Sequence, residues 1–197
     1  MMSETGRVFI GALGYTNLRD LSVGLKILEE LKRLQWPAGV EIDDLGPGGP
    51  IAAVHRFRDA SPYDRVILVA AVGRSRQPGQ VYCYHWDGQL PDREEIQARV
   101  AEGVTGVISL DNLLIVGGYF AIWPSDLMVV EVEPCDEDWG PEFSEAVQAA
   151  IHPAIQAVEL AAKAPIESFP TSPQTAWMPD ANLYDGGLKS GNGASIL

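Results

Sequence analysis

Residues 66–72 read Val66-Ile67-Leu68-Val69-Ala70-Ala71-Val72, "VILVAAV", between "SPYD" and "QPGQV". Seven apolar side chains in succession, mostly β-branched and bounded by turn-forming residues, predict a central strand buried on both faces. The stretches around it fit that frame. "RVFIGALG" (7–14) is a short apolar run closed by glycines, and "GVEIDDL" (39–45) and "DLMVVEVEP" (126–134) read as further strands. "QVYCYHW" (80–86) alternates in the manner of a half-exposed strand.

Helical patterns separate these runs. Leu21, Leu25, Leu28 and Leu31 recur at helical spacing beside Ile27 and Leu34, with Lys26, Glu29, Glu30, Lys32 and Arg33 on the opposite face. Pro37 stops that helix. A tight loop, "GPGGP" (46–50), precedes a short helix through "IAAVHRF", and "PDREEIQARV" has the proline and acids of a helix start. "LDNLLIVGGYFAIW" (110–123) is apolar nearly all round and reads as a buried helix. The segment 141–163 is a long helix that Pro153 should kink or split. The alternation predicts a three-layer α/β/α sandwich with a mostly parallel sheet. The short spacing between the 64–72 and 80–86 strands allows a hairpin, which would make one strand antiparallel.

This domain is expected over residues 1–163. From Ala164 to Leu197 the chain is rich in Pro, Gly, Ser and Asn and shows no period. Phe169, Trp177, Met178, Tyr184 and Leu188 are spaced through it, as in a tail that binds extended along a partner or along its own domain.

The 197 residues carry 14 basic and 27 acidic side chains, a net charge of −13, which argues against nucleic acid or an anionic membrane as partner. No run approaches the ~18 apolar residues of a membrane span, and "MMSETGRVFIGALG" lacks the pattern of a secretory signal. A cytoplasmic location is expected. The two cysteines, Cys83 and Cys135, lie outside any CxxC pattern and read as reduced structural thiols. His55, His85 and His152 read as surface or partly satisfied histidines. Ser22, Ser109 and Ser144 lack an identifiable His/Asp pattern and a G-x-S-x-G elbow. "GALG" and "GPGGP" are tight turns rather than phosphate-binding loops.

The order of these motifs resembles the hydrogenase maturation proteases, which trim the C-terminal extension from the large subunit of nickel–iron hydrogenases. The resemblance spans roughly residues 7–162. It rests on "FIGALGYTNLRDLSVGLKILEEL", "VEIDDLGPGG", "YDRVILVAAVGRSRQPGQV", "SLDNLLIVGGYF", and "VVEVEP" followed by a Pro-bearing helix. In that family an acid of the first loop, an aspartate of the third strand and a histidine before the buried helix together bind the metal centre of the substrate. The corresponding positions here are Leu21, Ala70 and Asp111, and Tyr15 stands where an asparagine is usual. Alanine and leucine offer no lone pair to a metal.

Asp20 and Asp44 match acidic family positions and, with Asp111, supply the oxygen donors of a hard-ion site; equally, Asp20 caps the first helix and Asp44 a strand end. A one-residue slip puts Asp20 in the first ligand's role, but no slip places an acid inside "VILVAAV". Two readings follow from the resemblance. The first is a non-catalytic relative without cofactor, serving as assembly factor, chaperone or accessory subunit of a metalloenzyme by binding its large subunit. Its groove would contain Tyr15, Asp20, Leu21, Asp44, Ala70, Asp111 and Asn112, with the tail contributing Phe169, Trp177 and Tyr184. The second is an active maturation endopeptidase that meets the nickel of the substrate subunit.

Overall fold

The computed structural model describes residues 6–60, 62–105 and 109–171. The apolar run forms β3 (Arg65–Ala71), the middle strand of a five-stranded sheet. With β1 (Val8–Ala12), β2 (Val40–Asp44), β4 (Val81–His85) and β5 (Asp126–Val132), the order is β2-β1-β3-β5-β4. The first four strands in that order are parallel, and β4 pairs antiparallel with β5. Both faces of β3 are covered. Ile67 and Val69 pack among α1 (Val23–Leu31) and α5 (Glu145–Lys163). Val66, Leu68 and Ala70 pack towards α2 (Gly49–Asp59) and α4 (Leu110–Tyr119). Each such burial is worth about 1.5–3 kcal/mol for a large aliphatic side chain, which is what the unbroken apolar run of this strand supplies. A further helix, α3 (Arg93–Val104), packs on α2 and α4.

Three details depart from the sequence reading. β4 does not form a hairpin with β3, because β1 and β5 already occupy both edges of β3. The connection passes over the end of β5 instead, held by Gly79 N–H to Glu133 O (2.8 Å) and Glu133 N–H to Gln80 O (3.0 Å). Pro153 does not split α5, which runs as one helix from Glu145 to Lys163. Ala150, Ala154, Ala157, Val158 and Ala161 are buried on both sides of the proline, so packing on the sheet offsets the lost backbone bond. Finally, α4 ends at Tyr119 rather than continuing to Trp123. Ala121 adopts a positive φ of 53°, and the chain folds back so that Trp123 Nε1 donates to Leu114 O (3.2 Å).

The packed chain also continues past Lys163. Phe169 is buried in the same core as α1 and α5, and Pro170 O accepts from His85 N–H (2.8 Å). The remaining tail positions of interest, Trp177 and Tyr184, lie outside the described residues. Among the described residues, no helix is long and apolar enough to cross a membrane.

The return of Trp123 depends on Gly117, where a Cβ atom would lie 2.3 Å from the indole ring. Gly117→Ala should therefore lower the stability by about 1–3 kcal/mol, read as an earlier urea midpoint at unchanged m-value. An unchanged midpoint would contradict this packing.

Candidate functional site

Strand order reverses between β1 and β3, the position at which open α/β sheets form a crevice beyond their strand ends. A cleft of about 270 Å³ lies there. Its walls are Leu13, Gly14, Tyr15 and Leu21 after β1, Ala70 to Gly73 at the end of β3, Ser109 to Asp111 at the start of α4, and Glu137. Tyr15, Leu21, Ala70 and Asp111, four positions singled out in the sequence, therefore meet in one place. Asp20, Asp44 and Asn112 do not line this cleft.

The first wall is fixed by a buried carboxylate. Asp20 is fully buried, and its oxygens accept from Cys135 N–H, Asp136 N–H, Ser144 N–H and Ser144 Oγ–H, all at 2.8 Å. Ser144 Oγ in turn accepts from Val147 N–H at the start of α5 (3.2 Å). Asp20 thus ties the loop after β1 to the loop after β5, and it does not cap the first helix. Ser22 Oγ donates to Tyr15 O (2.5 Å) and accepts from Leu18 N–H (3.2 Å), closing the same loop through positive-φ turns at Asn17 and Arg19. Asp44 has a local role: its Oδ1 accepts from Gly46 N–H (2.7 Å) and turns the chain at the end of β2. Asn112 is buried in the first turn of α4, and both side-chain amide atoms are without a partner.

Behind the second wall, joined to it through Asp111, lie residues that the sequence reading passed over. Glu131 lies in register beside Ala70 on the neighbouring strand, with its side chain 1% exposed. It accepts from Arg74 Nε (3.2 Å) and Nη2 (2.8 Å), from Arg76 Nη2 (2.8 Å) and from Tyr84 OH (2.9 Å). Arg74 also grips Asp111 with two bonds, Nη1 to Oδ2 (3.0 Å) and Nη2 to Oδ1 (2.6 Å). Glu133 Oε1 accepts from the backbone N–H groups of Arg74 (2.9 Å) and Arg76 (3.1 Å), and the Arg76 guanidinium lies 3.9 Å over the Tyr82 ring. Burial alone would lower the Arg74 pKa, but hydrogen bonds to Asp111 and Glu131 outweigh it and raise it, so the guanidinium stays charged. Burial, reinforced by the Glu131 charge, raises the Tyr84 phenol well above its usual value and keeps it a donor. The available signals were two glutamates in an apolar strand, "VVEVEP", and two arginines after the central strand, "GRSR".

A metal centre does not fit this cleft. Leu21 and Ala70 offer no donor atom, and of the two acidic side chains on the walls Asp111 is engaged by Arg74, which leaves the Glu137 carboxylate by itself. Among the described residues, no group of three His, Cys, Asp or Glu is placed to hold a metal ion. His55 and His152 are exposed, and His85 Nε2 lies 3.0 Å from Ser125 O, so none of the three lines the cleft. Cys83 is packed in the core, where burial pushes its thiol up to about 12, while Cys135 is exposed.

Two outcomes check this geometry. In the native protein a thiol reagent such as Ellman's should titrate Cys135 rapidly and Cys83 only after unfolding, a contrast that equal reactivity would overturn. Asp20→Asn places an amide donor against N–H donors and should cost about 2–4 kcal/mol in urea unfolding. A loss below about 0.5 kcal/mol would show that the carboxylate does not hold the two loops together.

No protein-family model matches the chain, and no curated protein sequence matches it either. Solved structures do. The hydrogenase maturating endopeptidase HybD from E. coli superposes with a TM-score of 0.58 at 23% identity, over 77% of this chain and 89% of that one. The [NiFe] hydrogenase maturation protease HycI from Thermococcus kodakarensis KOD1 gives 0.59 at 19% identity, over 82% and 96%. A hydrogenase 2 maturation peptidase from Thaumarchaeota archaeon SCGC_AB-539-E09 gives 0.57 at 23%, over 80% and 98%. The chain therefore has the fold of the hydrogenase maturation proteases, as the order of its sequence motifs implied.

Proposed function

We propose that this chain is a non-catalytic protein of the maturation-protease fold that binds the large subunit of a metalloenzyme, a nickel–iron hydrogenase, and serves its assembly in the cytoplasm. One observation carries the reading. The three positions that the resemblance assigns to metal ligands converge on a single cleft, and there they are an alkyl group, a methyl group and a carboxylate already paired with an arginine. Convergence supports the correspondence of positions, and the side chains present remove its chemistry.

What remains is a recess with the properties of a protein-binding groove. Leu13, Leu21, Ala70, Ala71 and Leu110 give it an apolar floor, and Tyr15, Asp111 and Glu137 give it polar edges. An apolar side chain of a partner would gain about 1.5–3 kcal/mol on entering such a floor. The names of the structurally similar proteins point to hydrogenase maturation, and the net charge of −13 favours a protein partner over nucleic acid or an anionic membrane.

Binding is tested with the purified full chain and a nickel–iron hydrogenase large-subunit precursor, by calorimetry. A saturable complex is expected, weakened at least ~10-fold by Leu21→Arg, which sets an unpaired charge on the apolar floor. Absence of a complex, or equal affinity of the variant, would contradict the proposal.

A further inference from the structure

Asp111, one of the two acidic side chains on the walls of the cleft, already has a counter-cation that sits just outside those walls. Asp111 lines the cleft from α4, and Glu131 stands immediately behind Ala70 on β5. Arg74 lies between these two carboxylates and bonds both, through five contacts of 2.6–3.4 Å. Arg76 takes the second oxygen of Glu131, at 2.8 Å. Where the resemblance implies an acid on β3 this chain has Ala70, and the residue in register beside it on β5 is Glu131.

We infer that the Arg74 guanidinium, outside the lining of the cleft but bonded to its Asp111, is the built-in counter-cation of this site, so that a partner engages it independently of any metal. The inference rests on the binding role proposed above and deepens it. Three physical features support it. A guanidinium offers a planar fork of donors, and here one edge meets Asp111 while Nε and Nη2 meet Glu131, a geometry that lysine would not reproduce. The cation is held on the chain, with its backbone N–H fixed by Glu133, so no free ion competes with it on equal terms. A divalent ion seated between Asp111 and Glu131 would also have to sit against the charges of Arg74 and Arg76. Asp111 and Glu131 have a structural task as well: through Arg74 and Arg76 they hold the loop after β3 over the strand ends. The cleft then discriminates partners by shape and apolar contact and is blind to whether a metal has been inserted.

The test uses tag-free full-length protein and the metal ions alone, Ni(II) and Zn(II), by calorimetry. Wild type should show no saturable binding that Asp111→Asn abolishes. Restoring the donors with Leu21→Glu, Ala70→Asp and Asp111→His should not by itself create a tight site while Arg74 is present. Adding Arg74→Gln to that triple variant should strengthen Ni(II) binding at least ~100-fold, because the competing charge is gone. Arg74→Lys in the triple background keeps a charge at this point and should stay weak, which separates charge from folding; thermal melts verify that each variant is folded. A metal site in wild type that depends on Asp111, or equal affinities in the triple variant with and without Arg74, would overturn the inference. Complex formation with the large-subunit precursor should further be equal in chelator and in Ni(II). A complex that forms only with metal contradicts the metal-independent site, whereas no complex under either condition contradicts the binding role itself.

Discussion

A carboxylate buried in a sheet is the constraint around which this structure is arranged. Glu131 has almost no contact with solvent, and a charge in that setting costs several kcal/mol unless donors surround it. The chain supplies Arg74, Arg76 and the Tyr84 hydroxyl. Meeting that need sends the loop after β3 across the end of β5, places β4 on the far side of β5 so that Tyr84 can reach inward, and draws Arg74 against Asp111 at the start of α4. The path of the loop after β3 and the contact it makes with α4 both serve one satisfied charge.

Asp20 plays the complementary part on the opposite wall. It accepts four hydrogen bonds from the loop after β5 and the residue that caps α5, so the two loops that border the cleft are tied together. The cleft is therefore an apolar floor between two polar clamps, each spent on holding backbone in place. Neither Asp20 nor Glu131 presents a lone pair to a visitor, and Asp111 is shared with Arg74. Acidic residues are abundant in this chain, yet Asp20, Asp111 and Glu131 are engaged in holding its architecture. That is the physical difference between a site that looks acidic in sequence and one that is available to a ligand.

Much of the fold was legible because it is written in local periodicity. The apolar run of β3, the leucine spacing of α1 and the glycine-closed β1 each state their burial directly. The partner of β4 was not legible, since strand pairing is decided by which edges are free, a property of the whole sheet. Pro153 misled for a related reason: its local cost is real, but a row of buried alanines on either side holds the helix. Tyr15, Leu21, Ala70 and Asp111, from stretches far apart in sequence, line one recess. The Arg74, Glu131 and Asp111 cluster was missed because its members lie 37 and 57 residues apart and no short motif joins them. Asp20 was seen as an acid but not as an anchor, because its partners are backbone N–H groups that carry no sequence signature.

The central claim is that a protease fold is present here without protease chemistry. The most direct measurement is intact-mass spectrometry of a nickel-loaded large-subunit precursor, C-terminal extension included, incubated with this protein and in parallel with an active maturation protease. The account predicts an unchanged precursor mass with this protein and a shortened one with the active enzyme. Loss of the C-terminal extension in the presence of this chain alone would contradict it.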